Sequence, residues 1–457
     1  MRICIVGAGV AGLQTADALC DTHECVVFDA NDGVGGVWRK NYDGYALQVP
    51  AELYQFVDGD PSFSPGTFPD GPQVMEYIHA FVRTRNLRSR CTIRDDHTVV
   101  SIARREGKWS VEAEVGATKE RSLDSFDYCV VCTGMYHVPN VPAAFSSTAA
   151  CVVHSSRFVD ASEAANKSVV VVGGGKSAID CAVAAAKAKA TSVRLISRDV
   201  HWPVPRKILG LVPFQWGTYS RLGHFLLPAH WNLSASERWW HDVFAAPKRL
   251  VWRALEAVFA LQFDIPVRPR HPLVVDLFGG GQILTSELDH AVRSGHVERI
   301  VRDVDVDKDF EGVDLVVCGT GFAKDYSMFD AETQRLLAVD DDGLWLYNNV
   351  IPPDVPGLAF VGSEVSTFNN ILTQWLQAQW LSKVALDSLP SVERMKEAIE
   401  RDKNWKRSWM PKSASRASLV QLHMTKYHDT LAESMGWPRV KSKWYEWFFP
   451  ITADDFR

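Results

Sequence analysis

The feature that most constrains this chain is a strand–glycine turn–helix–strand unit that occurs twice. Arg2 to Val6 is a short apolar, β-prone run, followed by Gly7-Ala8-Gly9-Val10-Ala11-Gly12 and the helical spacing of Leu13, Ala16 and Leu19. A second run, Cys25 to Phe28, ends in Asp29. Gly7 permits a tight turn, Gly9 lets the backbone approach a pyrophosphate, and Gly12 lets the helix pack close to the strand while its first N–H groups receive the anion. An acid about 20 residues further on is placed to hydrogen-bond a ribose 2′-hydroxyl. With strand, turn, helix and acid in register, the unit predicts a dinucleotide site on a parallel sheet.

The second unit begins at Ser168. Val169 to Val172 is a pure β-branched run, followed by Gly173-Gly174-Gly175-Lys176-Ser177-Ala178 and an alanine-rich helix through Ala190. Its next strand, Ser192 to Ile196, ends in Ser197-Arg198 where the first unit ends in an acid. A carboxylate there repels a 2′-phosphate, whereas Ser197 and Arg198 bind one, so this site is expected to prefer NADPH to NADH. The plainer reading leaves Arg198 in solvent at a strand end. Gly279-Gly280-Gly281 lacks a following helix and reads as a hairpin turn.

Two units imply two dinucleotides, FAD at the acid-ended site and NADPH at the basic one. Two more hydrophobic strands, Asp127 to Gly134 and Asp314 to Gly321, run into glycines and mark crossings between domains. The expected fold is α/β, with two Rossmann-like dinucleotide-binding domains. An NADPH domain (166–322) is inserted in a discontinuous FAD domain (1–165 and 323–457), with a Trp-rich helical insertion over 201–272. A length of 457 residues accommodates this.

The net charge of −6, with signs mixed, gives no reason to expect nucleic acid as a partner. Nine scattered cysteines, mostly in apolar runs, read as buried small hydrophobes of a reducing compartment. Cys129 and Cys132 spell C-x-x-C within a strand pattern, which puts the thiols on opposite faces. A strand pattern starting at Arg2 carries the expectation of no leader peptide and a cytoplasmic location. No metal site is expected. Val243 to Phe263 is apolar but holds Lys248, Arg249, Arg253 and Glu256, against a spanning helix. The insertion is left open between surface membrane contact, a cover over the active site, and ordinary packing.

These motifs resemble the class B flavin monooxygenases, in particular the branch that oxygenates soft nitrogen and sulfur nucleophiles. Gly35-Gly36-Val37-Trp38 is similar to the family's G-G-x-W beside the flavin, and Gly173 to Ala178 to its NADPH turn. Cys318 to Phe322 resembles its A-T-G-Y linker, Pro203-Val204-Pro205-Arg206 a loop near NADPH, and Tyr427 to Leu431 a C-terminal helix. His154-Ser155-Ser156-Arg157-Phe158 matches the second half of the interdomain motif, while Thr148 and Ala150 replace its phenylalanine and glycine. Phe158 agrees with the N- and S-oxygenating branch. Gln48 stands where the family's flavin-proximal asparagine aligns, in Leu47-Gln48-Val49-Pro50, a segment closer to the plant branch that acts on an α-keto acid.

The resemblance implies reduction of FAD by NADPH, addition of O2 as a flavin C4a-hydroperoxide, and oxygen transfer to a small amine, indolic or sulfur substrate. Baeyer–Villiger or decarboxylating oxygenation, or release of H2O2 by an NADPH oxidase, are the alternatives. Gln48 is the candidate catalytic donor. Gly7, Gly9, Gly12, Asp29, Gly36, Val37, Trp38, Gln48, Val49, Val99 and Gly362 are the candidate FAD contacts. Gly173, Gly175, Lys176, Ser177, Ala178, Ser197 and Arg198 are those for NADPH. His154 is expected to make a structural hydrogen bond between domains. Asn369, Asn370, Thr373 and Gln374 precede a helix where they could contact flavin or substrate or cap it; capping is expected of the two asparagines, and Gln374 is left open.

Overall fold

The computed structural model describes residues 1–59, 63–280, 282–363, 369–410 and 424–457. Two five-stranded parallel sheets organise them. In the first, Arg2–Val6 lies between Glu24–Phe28 and Tyr128–Val131, flanked by Thr92–Arg94 and Leu358–Phe360. In the second, Ser168–Val172 lies between Ser192–Ser197 and Leu315–Cys318, flanked by Glu298–Val301 and Cys151–His154. The central strand, its two neighbours and the strand beyond the second one follow the same order in both, so the repeated sequence unit is a repeated spatial one, whereas the remaining edge strand comes last in the chain in the first sheet (Leu358–Phe360) and first in the second (Cys151–His154).

Each sheet is covered on both faces, which is why its strands are near-continuous β-branched runs rather than alternating ones. Val169 and Val171 enter one apolar cluster and Val170 and Val172 another. By the same alternation Cys129 packs in one core of the first unit and Cys132 in the other. The C-x-x-C thiols thus face opposite ways as expected, and all nine cysteines are unpaired.

The second sheet starts at Cys151, ahead of the expected boundary at Asn166, because Leu315–Cys318 takes Cys151–His154 as its outer neighbour. The two crossings lie side by side: Val138–Pro139 pairs antiparallel with Phe322–Ala323. Gly279-Gly280 is not a hairpin. Leu273–Gly279 is a helix, Gly280 caps it, and the strand that follows, Gln282–Leu284, runs parallel to Pro203–Pro205. Gly281 lies outside the described residues.

The insertion is helical, with Arg221–Leu226, Ala235–Val243 and Ala245–Gln262 as its main elements. Its tryptophans divide. Trp202 and Trp252 turn inward and donate to the carbonyls of His271 and Leu226, whereas Trp216, Trp239 and Trp240 are exposed. Among the described residues no helix is long and apolar enough to cross a membrane.

The insertion docks on the C-terminal helix Met424–Ser434. His224 Nε2 accepts the Thr425 N–H at 3.1 Å, and His428 Nε2 lies 2.8 Å from Thr373 Oγ1. Burial pushes both imidazoles down to about 3. A histidine held neutral in the fold is protonated first in the unfolded chain. Its contribution is therefore complete above an unfolded value of about 6.5 and is lost as the pH falls towards the folded value. Denaturant midpoints measured between about pH 7 and about pH 5 are expected to fall, each histidine adding a slope approaching about 1.4 kcal/mol per pH unit. His230 and His241, pushed down by burial to about 4, add to the slope, and His428→Gln should remove one histidine's share of it.

Candidate functional site

The first glycine turn is built by close backbone approach. Gly7 has φ +107°, and a Cβ there would lie 2.7 Å from the carbonyl oxygen of Cys132, at the end of the neighbouring strand. A Cβ on Gly12 would overlap Gly7 O, so the helix Val10–Leu19 sits on the turn only because no side chain intervenes. Gly9 differs: a Cβ there would meet Gly36 Cα at 3.6 Å, an ordinary contact. Gly36, at φ +56°, thus backs the turn from the Gly35-Gly36-Val37-Trp38 segment, and Gly35 N–H donates to Ala8 O.

Asp29 is buried, accepting from Ala8 N–H at 2.6 Å through one oxygen and from Asn31 through the other. It pins the turn from the strand end. Trp38 Nε1 donates to Tyr54 Oη and Val37 is partly exposed. Val99 lies in the strand His97–Arg105, which opens with His97 N–H donating to Asp29 O.

Gly362, at φ +73°, closes the same region from the last strand. A Cβ there would crowd Ala11 and the Gln374 amide, and its N–H donates to Gln377 Oε1. Asn369 caps the helix Asn370–Trp380, accepting from Leu372 N–H at 3.4 Å, and Thr373 Oγ1 donates back to Asn369 O. The side-chain oxygens of Asn370 and Gln374 are buried without a partner among the described residues, as is the carboxamide of Gln14 in the helix Val10–Leu19. Glycine turns closed by backbone approach, with buried carboxamides nearby that have no partner among the described residues, fit a dinucleotide at the N-terminal ends of the two helices.

The second turn repeats the first with its parts exchanged. Gly173 has φ +140° and a Cβ there would overlap Gly319 O, as Gly7 meets Cys132. Here Ala178 occupies the third position, and the missing methyl is on the neighbouring strand end, Gly319, where a Cβ would overlap Ala178. Space around Gly175 is open, with nothing within 4 Å of its Cβ position. The glycine-ended crossings are therefore the walls behind the two turns. Ser197 is buried at its strand end, and Arg198 beside it is exposed, with no ion pair among the described residues. Ser177 lies in the first turn of the helix Lys176–Lys187.

Lys176 is engaged with Asp180, to which Tyr42 Oη also donates at 3.0 Å. This ties the segment after Trp38 to the second unit's helix and was not evident from motifs. Nor was His201, whose Nδ1 lies 2.8 Å from Asp276 Oδ1 while its ring edge comes within 3.8 Å of the Gly174 Cβ position. The absence of a side chain on Gly280 makes room for that ring. Their partners are 138 and 75 residues away, beyond any local pattern.

His154 is buried with Nε2 2.8 Å from Gly321 O, while Nδ1 accepts the Ser156 N–H. Burial pushes its pKa down. A neutral ring donating through Nε2 satisfies both contacts and holds the second sheet's edge to the crossing.

Gln48 lies where the two units and the insertion meet. Its Oε1 accepts from Ile283 N–H at 3.4 Å, and with Val49, Phe68, Arg206, Phe214 and Tyr219 it lines a small cleft. Phe214 and Tyr219 belong to the insertion, which thereby covers the Leu47–Pro50 segment.

The model of a family described as flavin-binding monooxygenase-like matches residues 1–444. Flavin-containing monooxygenase 3 of Homo sapiens is 26% identical over 464 residues, covering 95% of this chain and 82% of that protein. Probable flavin-containing monooxygenase 1 of Arabidopsis thaliana is 26% identical, covering 100% and 96%. Among solved structures, S-allyl-L-cysteine S-oxygenase from Allium sativum superposes with a TM-score of 0.64 at 19% identity, covering 97% of this chain and 90% of that one. An open structure of cyclohexanone monooxygenase gives a TM-score of 0.68 at 17% identity, covering 95% and 97%.

Proposed function

Because the chain belongs to the flavin-binding monooxygenase-like family, we propose that it uses FAD, NADPH and O2 to oxygenate a small soft nucleophile at nitrogen or sulfur. The observation that carries this reading is the pair of glycine turns, each walled by the end of a neighbouring strand, with the Gln48 cleft between the two units. Gly7, Gly9 and Gly12 admit the FAD pyrophosphate at a helix N-terminus. Asp29 takes the ribose, Val99 lies on the adenosine side, and Gly36, Val37, Trp38, Val49 and Gly362 border the rest of the molecule.

Gly173, Gly175, Lys176, Ser177 and Ala178 form the NADPH turn, with Ser197 and Arg198 on the 2′-phosphate. FAD held there would supply the redox chemistry with NADPH and O2. The residues of this chain orient and enclose it. Gln48 keeps its amide N–H groups for the cleft, since its oxygen is turned to Ile283. Phe214 and Tyr219 exclude water from above. Nine unpaired cysteines suit a reducing compartment, and we place the protein in the cytoplasm.

Arg198→Ala tests the strand-end assignment. Titration of the flavin-loaded protein is expected to show NADP+ binding weakened by about tenfold or more, with NAD+ changed by less than about twofold. Equal losses for both nucleotides would contradict a 2′-phosphate contact.

A further inference from the structure

The cleft beside Gln48 contains a cation without a counter-ion. Arg206 enters it from the Pro203–Pro205 strand, its guanidinium 3.8 Å from the centroid of the Phe68 ring. Its Nε is buried with no hydrogen-bond partner, and no carboxylate lies within ion-pair reach among the described residues. The acids whose field reaches it are committed elsewhere: Asp180 to Lys176 and Tyr42, and Glu287 to Lys187 and Thr285. An arginine left unpaired in a partly buried site carries a desolvation cost that folding alone does not offset. Stacking on Phe68 recovers part of it and fixes the plane of the fork. No Asp or Glu lines the cleft, and Gln48 lines it with its side-chain oxygen accepting from Ile283 N–H. Gln215 is the other neutral polar side chain of the lining, which is otherwise apolar or aromatic, chiefly Val49, Phe214 and Ile283.

We propose that Arg206, with Gln48, binds the carboxylate of the substrate, so that this enzyme acts on small organic acids bearing a soft nucleophile rather than on neutral or cationic amines. The inference deepens the monooxygenase reading and rests on it. A planar guanidinium pairs a carboxylate through two parallel N–H groups, which anchors one end of the molecule and points the other along the apolar wall.

The dinucleotide phosphates are the other anion that can reach this arginine, and the experiment separates the two. Flavin-loaded, NADP+-saturated protein is titrated with 4-(methylthio)butanoate and with its primary amide, following the flavin absorbance. The proposal expects the acid to bind at least about tenfold more tightly than the amide. It expects Arg206→Gln to erase that preference, and Arg206→Lys to restore part of it. NADP+ affinity and flavin content should stay within about twofold in both variants. Acid and amide binding alike, or a loss of NADP+ affinity in place of acid affinity, overturns the proposal. Both results leave the monooxygenase reading standing, since that fails separately if the loaded wild-type protein does not oxidise NADPH.

Discussion

Gly9→Ala is expected to purify colourless yet folded. A methyl group at this position meets only Gly36 Cα, at 3.6 Å, and the backbone φ of −74° is one that alanine adopts freely. The protein itself therefore tolerates the substitution. The phosphate that must approach the turn does not, because the methyl stands where the backbone N–H groups meet the anion. Bound flavin per protein chain should fall to below about a tenth of the wild-type value, while the melting temperature matches that of flavin-stripped wild type. Gly12→Ala serves as the contrast. Its methyl overlaps Gly7 O, a backbone atom that cannot move without opening the turn, and the cost should exceed about 3 kcal/mol as well as abolishing flavin. Full flavin occupancy in Gly9→Ala would place the pyrophosphate elsewhere.

The second large effect concerns the cover. Arg221 donates to both oxygens of Asp429 at 2.8 and 2.9 Å and to the carbonyls of Val440 and Lys441, with side-chain exposures of 12% and 6% for the pair. This contact fastens the insertion to the C-terminal helix. Arg221→Met leaves a buried carboxylate uncompensated, and chemical denaturation should show a loss of about 3–5 kcal/mol. Replacing both residues by apolar ones, Arg221→Met with Asp429→Leu, should recover most of it. A single variant as stable as wild type would mean that the ion pair does not hold the cover.

The backbone of this account was legible in the sequence because phosphate turns are local: Gly7 to Gly12 and Gly173 to Ala178 lie in consecutive residues, and each needs its glycines where a neighbouring strand approaches. The alternation that separates Cys129 from Cys132 is equally local. What stayed hidden depends on contacts between distant segments. The edge strand Cys151–His154 joins the second sheet only through Leu315–Cys318, and nothing in its own residues marks that choice. The Gly279-Gly280 run does not by itself tell a helix end from a hairpin, since both favour glycine, and His201, which needs the space, is far away in sequence. Arg206 shows the same limit. The loop that carries it was recognisable, but the lack of a counter-ion is a property of the assembled cleft.

The central claim is that these two turns serve one oxygen-transferring reaction, and isotope transfer tests it most directly. Purified flavin-loaded protein is supplied with NADPH, 18O2 and a panel of small tertiary amines and thioethers, the carboxylated thioether above included. The account predicts an N-oxide or sulfoxide carrying one 18O atom for each NADPH consumed. H2O2 equal to the NADPH consumed, with no label in any product, would contradict it and make the protein an NADPH oxidase.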